Sequence, residues 1–187
     1  TFGNWRESQR KELKYVFDQF RDYVDNSDNS RTNRYVQIAV VDFGSFTLDI
    51  ATLNVDLDVE GNTFSVKNVV QNSLEIGVID DLDKRCLKKL FDRHGIDEER
   101  LPFLEKEELK KSLYSDKPYA LSKKRTILGK DEADKKIVGE TVDEYCQRAW
   151  SEIADHCNGA EVVVLTGGGI CIPRVHNYFN NKLEQIN

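Results

Sequence analysis

The segment Val40-Val41-Asp42-Phe43-Gly44-Ser45-Phe46-Thr47-Leu48-Asp49 places an acid, a glycine and two hydroxyl groups between two apolar runs. The run from Tyr35 to Val41 is rich in β-branched residues, which favours a strand buried on both faces, and the run 49–55 alternates in part, which favours its antiparallel partner. Successive N–H groups of such a turn can face a phosphate while the Asp42 carboxylate holds a hydrated magnesium ion. The pattern predicts either a phosphate-binding turn or an ordinary hairpin with a polar tip.

A second glycine-containing segment lies near the C-terminus and reads as a buried strand, three glycines and a helix that opens at Pro173. Proline is pre-set for the first helical position, and apolar residues then recur at four-residue spacing. The three glycines lack Cβ atoms, so a flat or anionic ligand can lie against the backbone beside a helix N-terminus. The glycines are Gly167, Gly168 and Gly169, and the spaced apolar residues are Val175, Phe179 and Leu183.

Together these segments resemble the actin, sugar kinase and heat-shock-chaperone ATPase superfamily, and within it the second lobe of the seventy-kilodalton (DnaK-like) chaperones. Residues 42–49 resemble the second phosphate loop of that family, and residues 163–174 resemble its adenosine loop. Residues 81–85 are similar to the start of the helix after the third strand, and residues 107–113 to the helix that holds ribose and adenine. The resemblance covers residues 35–185 and implies an α/β, ribonuclease-H-like (actin-like ATPase) lobe with an inserted small α+β subdomain.

The resemblance also implies the roles of individual residues. Asp42 corresponds to a catalytic residue that binds magnesium through water. The residues that correspond to nucleotide contacts are Gly44, Ser45, Thr47, Glu107, Lys110, Lys111, Tyr114, Gly167, Gly168 and Gly169. ATP or ADP and magnesium are therefore the cofactors implied for the intact protein.

The sequence differs from the family at positions that would contact the phosphates and the base. The family usually has three glycines after the aspartate and one intervening residue, and this chain has Gly44, Ser45 and Phe46. The Phe46 ring faces either the core or the nucleotide cleft, and we expect the cleft because neighbouring apolar residues already cover the core. Cys171 replaces an arginine that stacks on adenine, and Tyr114 replaces a small serine and is able to stack on the base instead.

Three functions remain open from the sequence. The first is the second lobe of a divergent heat-shock-chaperone-like ATPase that binds adenine nucleotide between two lobes and acts as a conformational clamp. The second is a degenerate lobe that does not hydrolyse ATP and serves as a protein-interaction module, which Phe46 and Cys171 favour. The third is an actin-like filament subunit. The helix with Glu107, Lys110 and Lys111 favours the chaperone over this third function. Whether the intact protein is an ATPase stays open, and we expect no hydrolysis by this chain alone.

Composition and charge argue against some classes of binding partner. The net charge of −6 argues against nucleic acid or an anionic membrane as the partner, and no stretch approaches the ~20 apolar residues of a membrane span. The four cysteines show no paired spacing, so we expect mostly buried, reduced thiols in a cytoplasmic protein.

The chain begins at Thr1, contains no methionine and shows no counterpart of the family's first phosphate loop or catalytic lysine. We therefore expect a fragment of a larger protein. Its expected partners are the missing first ATPase lobe, a substrate-binding domain of the same protein, and protein clients or a co-chaperone.

The predicted organisation has three parts. Residues 1–34 form an N-terminal helix (5–24) and a polar linker, residues 35–96 with 141–187 form the core (subdomain IIA-like), and residues 97–140 form the inserted subdomain (IIB-like). In the core we expect a three-stranded meander extended by a parallel strand at 161–165, covered by helices at 80–93, 141–157 and 173–184. Thr141 and Glu144 have the spacing of a capping box, which predicts the start of the second of these helices.

Overall fold

The computed structural model describes residues 33–58, 63–115, 118–121, 127–129 and 131–185. The chain divides into two compact units, Thr1–Arg34 with Leu57–Thr63 and Tyr35–Asp56 with Phe64–Asn187. Nearly all of the described residues belong to the second unit. The helix and linker predicted before residue 33 lie outside the described residues.

A four-stranded sheet forms the centre of the second unit. Strands β1 (Asn33–Phe43), β2 (Leu48–Asp58) and β3 (Thr63–Leu74) follow one another, and β6 (Val162–Thr166) completes the order β3-β2-β1-β6. The connections within β1–β3 are four residues long, too short for a parallel crossover, so these strands form an antiparallel meander. β6 pairs with β1 in parallel, with Ile38 opposite Val162 and Asp42 opposite Thr166. The predicted sheet is confirmed.

The described part of the chain contains four α-helices. A π-helical turn (Val78–Asp83) runs into α1 (Lys84–His94), which ends at Gly95 with φ 59°. Helix α2 (Phe103–Ser112) is followed by a two-stranded antiparallel ribbon of β4 (Tyr119–Ala120) and β5 (Ile127–Leu128). Helices α3 (Glu132–Asn158) and α4 (Pro173–Glu184) flank β6 in the sequence. No helix in the described ranges has the length and apolar character that crossing a membrane requires.

The predicted capping box is wrong, because α3 begins nine residues before Thr141. Asp131 caps the helix by accepting a hydrogen bond from the Asp134 N–H at 2.8 Å. The Thr141 hydroxyl instead donates to the Ile137 carbonyl inside the helix, at 2.7 Å. Glu144 forms ion pairs with two cations of α1, Arg85 at 2.7 Å and Lys89 at 3.0 Å. The spacing that marks a helix start thus also occurs inside a helix, where it serves a contact between helices.

Two apolar clusters hold the unit together. The larger lies between the sheet and helices α1, α3 and α4, where the Phe43 and Phe179 rings meet edge to face at 4.8 Å. The smaller joins α1, α2 and the ribbon through Leu87, Phe91, Ile96, Leu109, Leu121 and Leu128. The expectation of mostly buried thiols is confirmed for Cys86, Cys146 and Cys157, whereas Cys171 is exposed. The division into a core and an inserted subdomain stays a prediction.

Candidate functional site

The two glycine-containing segments meet at one edge of the sheet. β1 and β6 are parallel, so their carboxyl ends, at Asp42 and Thr166, lie side by side. Gly167 follows with φ +91°, a conformation that L side chains rarely adopt. A Cβ atom on Gly167 would collide with the Asp42 carboxylate and would lie 2.6 Å from the Phe43 carbonyl oxygen. The turn after β1 and the glycine loop after β6 are therefore in direct contact.

The turn between β1 and β2 is held by Gly77 and the first residues of the π-helical turn. The Gly77 N–H donates to the Phe46 carbonyl at 3.1 Å, Val78 N–H to Gly44 at 3.0 Å, and Asp80 N–H to Ser45 at 3.3 Å. These bonds use carbonyl oxygens of the turn. Within the described part of the chain the N–H groups of Ser45 and Phe46 donate to no acceptor. The turn therefore keeps donors free for an anion.

Asp49 is a residue of this site that the sequence assignment missed. Thr47 Oγ1 donates to Asp49 Oδ2 at 2.9 Å, and the Ser73 hydroxyl donates to the other Asp49 oxygen. The hydroxyl hydrogen of Thr47 is therefore used inside the protein. Asp42 and Asp49 line one shallow groove of about 390 Å³ across β1, β2 and β3. The available signal was the second carboxylate within the same ten-residue motif.

Phe46 does not face the core. Its side chain is 64% exposed, so the alternative of a core-facing ring is wrong. The physical reason is that Phe43 and Leu48, both fully buried, fill the adjacent core. Gly77 packs so closely under Phe46 that a Cβ atom on Gly77 would collide with the Phe46 backbone. The ring therefore lies on the open side of the turn.

The predicted residues on α2 form a separate group. The Lys110 ammonium pairs with the Glu107 carboxylate at 2.8 Å, on the partly buried side of the helix. Lys111 is exposed. Tyr114, just after the helix, donates a hydrogen bond from its hydroxyl to Asp83 Oδ1 at 2.5 Å. Burial raises the pKa of the Tyr114 phenol and that of the Asp83 carboxyl, so the Tyr114 phenol is neutral at pH 7.

A cavity of about 380 Å³ opens beside Tyr114. It lies between residues 112–115 after α2, residues 134–142 of α3, and residues 172–174 after the glycine loop. Tyr114 contributes to its wall, and Arg174, paired with Asp143 at 2.6 Å, contributes to its rim. The apolar lining residues are Leu90, Leu109, Leu113, Leu128, Val138, Val142 and Ile172. Apolar walls with a few polar groups are typical of pockets for small ligands.

The structure thus brings the predicted residues together in two groups. Asp42, Gly44, Ser45 and Thr47 share the sheet edge with the glycine loop 167–169. Of the second group, Tyr114 lines the cavity. The segment 172–174 connects them, because it directly follows the glycine loop and lines the cavity. Gly168 has open space where a Cβ atom would lie. The space next to Gly168 is therefore open, and a ligand has room to lie against its backbone.

No protein-family model matches this chain, and no curated protein matches it. Its fold is similar to two crystal structures of Ta0583, an archaeal actin homologue: a selenomethionine form and a complex with ADP. Each is 19% identical with a TM-score of 0.53, and the alignments cover 92% and 93% of this chain but only 44% and 46% of Ta0583. The chain thus spans less than half the length of these structures. The predicted α/β, actin-like fold is confirmed.

Proposed function

We propose that this chain is one lobe of an actin-like ATPase and binds an adenine nucleotide, ADP or ATP, between itself and a second lobe. One observation carries the proposal: the positive-φ glycine loop lies directly against Asp42 at the shared carboxyl end of β1 and β6. Ligands of open α/β sheets bind outside the carboxyl ends of the strands. The ADP complex of the structurally similar Ta0583 supports the choice of nucleotide.

The residues present fit an anionic ligand. The Ser45 and Phe46 N–H groups would donate to phosphate oxygens, and the backbone of Gly168 would lie under the nucleotide. Asp42, partly buried at the sheet edge, would hold magnesium through water. The described residues contain no cluster of three or more His, Cys, Asp or Glu arranged for a metal, and magnesium is often held by one or two carboxylates together with substrate phosphates. The bound metal supplies charge neutralisation of the phosphates.

The finer proposal is a conformational clamp in a divergent heat-shock-chaperone relative. In this form the first ATPase lobe and a substrate-binding domain are further parts of the same protein, and protein clients or a co-chaperone are its partners. The Glu107–Lys110 pair on α2 supports it, because the helix that α2 resembles in those chaperones holds ribose and adenine.

A non-hydrolysing module is the competing function, and two observations favour it. The exposed Phe46 ring stands on the open side of the turn, and the Thr47 hydroxyl donates to Asp49. An actin-like filament subunit is the other alternative, supported by the similarity in fold to an actin homologue.

Calorimetric titration with Mg-ADP tests the proposal. We expect weak, saturable binding to the chain alone. Gly168→Ala should weaken it about a further tenfold, because a methyl group would enter the open space over the loop. A tenfold loss corresponds to about 1.4 kcal/mol. Gly95→Ala is the control for affinity. Gly95 ends α1 with φ +59°, so an alanine there should lower stability but leave ADP affinity unchanged. Absence of binding to the parent chain would contradict nucleotide binding by this lobe.

Hydrolysis is measured separately. Half of the phosphate-binding groups belong to the proposed second lobe, so the chain alone should release phosphate from ATP no faster than the uncatalysed background. Hydrolysis that disappears on Asp42→Ala would contradict this expectation and identify an active single lobe.

A further inference from the structure

We propose that Asp83 is a positioning residue that holds the Tyr114 ring against the cavity, so that the ring stacks on the base of a bound nucleotide. This inference rests on the proposed function and assigns part of its affinity to one side chain and its anchor. Tyr114 and Asp83 lie 31 positions apart in the sequence and are joined by a hydrogen bond of 2.5 Å.

The hydroxyl and the ring of Tyr114 face different parts of the protein. Tyr114 belongs to the wall of the 380 Å³ cavity, whereas Asp83 does not line it. The hydroxyl is therefore turned toward the π-helical turn that Asp83 ends, and the ring is left for the cavity. A phenol whose hydrogen is already donated offers a ligand its flat face.

The hydrogen bond between Tyr114 and Asp83, called the anchor here, requires a buried carboxyl group. Its burial costs free energy, which argues that the pair does more than fill space. Asp83 is only 6% exposed, and burying a carboxylate costs free energy unless it is well bonded. Burial raises the pKa of Asp83, the Tyr114 hydrogen bond and the Lys110 ammonium oppose that rise, and Glu107 adds to it. Leucine and phenylalanine at these two positions would avoid this cost. Lys110 and Glu107, two of the predicted nucleotide contacts on α2, thus act electrostatically on the same carboxyl group.

The ligand class follows from the chemistry of the ring. Stacking on an aromatic face is tolerant of base identity, because every base has a π-face. Tyr114 should therefore add affinity for any nucleoside diphosphate over pyrophosphate, and should add little preference for adenine over guanine.

Paired titrations with Mg-ADP and Mg-pyrophosphate test the inference. Tyr114→Leu should weaken ADP binding about thirtyfold, the middle of the range for one base on one aromatic ring, and leave pyrophosphate binding unchanged. Tyr114→Phe and Asp83→Leu, which each break the anchor, should both weaken ADP binding severalfold, and their combination should be no weaker than either alone. Asp83→Asn keeps an acceptor for the hydroxyl and should restore the parent affinity.

The outcomes are distinguishable. A purely structural contact would change the denaturation midpoint of these variants while the ratio of ADP to pyrophosphate affinity stayed at the parent value, and that result would overturn the inference alone. Pyrophosphate binding serves as the internal check that each variant is folded at the phosphate site. A parent chain that binds neither ligand would overturn the proposed function and this inference together.

Discussion

Replacing Gly167 by alanine tests the contact between the glycine loop and the turn after β1, and Gly168→Ala is its matched control. The two glycines are adjacent but differ in backbone conformation: Gly167 has φ +91°, and Gly168 has φ −67° and ψ −30°. A Cβ atom on Gly167 would lie 2.6 Å from the Phe43 carbonyl oxygen and 2.7 Å from its nitrogen, whereas a Cβ atom on Gly168 would meet nothing within 4 Å.

The expected effects have opposite signs. At Gly167 a left-handed backbone costs an alanine about 1–2 kcal/mol, and forcing a methyl group against backbone atoms and the Asp42 carboxylate adds about 1–3 kcal/mol. Gly167→Ala should therefore lower the free energy of unfolding by about 2–5 kcal/mol. Gly168→Ala should raise it by about 0.4–1 kcal/mol, because alanine fits the helical backbone and restricts the unfolded chain.

Urea denaturation followed by far-ultraviolet circular dichroism measures both effects, with the slope m checked for constancy between variants. A Gly167→Ala variant within about 0.5 kcal/mol of the parent, the usual range for surface substitutions, would refute the direct contact with Asp42. Equal losses in both variants would show instead that the loop tolerates no side chain at either position.

Three further predictions concern stability. Tyr145→Phe should be neutral or stabilising by up to about 1 kcal/mol in urea denaturation, because the buried Tyr145 hydroxyl has no partner among the described residues. The hydrogen bond from Arg93 lowers the pKa of Asp131 to about 2. The ionised Asp131 should therefore stabilise the fold fully above about pH 4, and this stabilisation should be lost as the pH falls toward 2. Denaturation of Asp131→Asn as a function of pH should lack that loss. Gly139→Ala should gain up to about 1 kcal/mol of helix propensity, and more of this gain should appear in an Arg174→Ala background, because the Arg174 guanidinium lies 2.9 Å from the added Cβ position.

Much of the fold was predictable from local patterns. Alternating and continuous apolar runs indicated β1, β2, β3 and β6, and four-residue spacing indicated α4. The short connections then required neighbouring antiparallel strands, and two glycine-containing turns after buried strands indicated one shared site. The structure confirms the strands, their order and α4, because each depends on residues close together in the chain. The shared ligand site stays a prediction.

The finer geometry depends on contacts that no local pattern reveals. The start of α3 was misplaced because Thr141 and Glu144 have the spacing of a helix cap, while their actual partners include Arg85, 59 residues away from Glu144. The sequence favoured an outward-facing Phe46 ring over a core-facing one, and only the packing of Phe43 and Leu48 decided between them.

The sequence by itself determined the elements, their order and the glycine turns, because these follow from hydrophobic periodicity and backbone preference within a few residues. Only the tertiary structure decided which groups meet: Gly167 against Asp42, Thr47 bonded to Asp49, and Tyr114 anchored to Asp83. Side-chain direction and hydrogen-bond partners in a packed interior depend on every neighbour at once, and those neighbours come from distant parts of the chain.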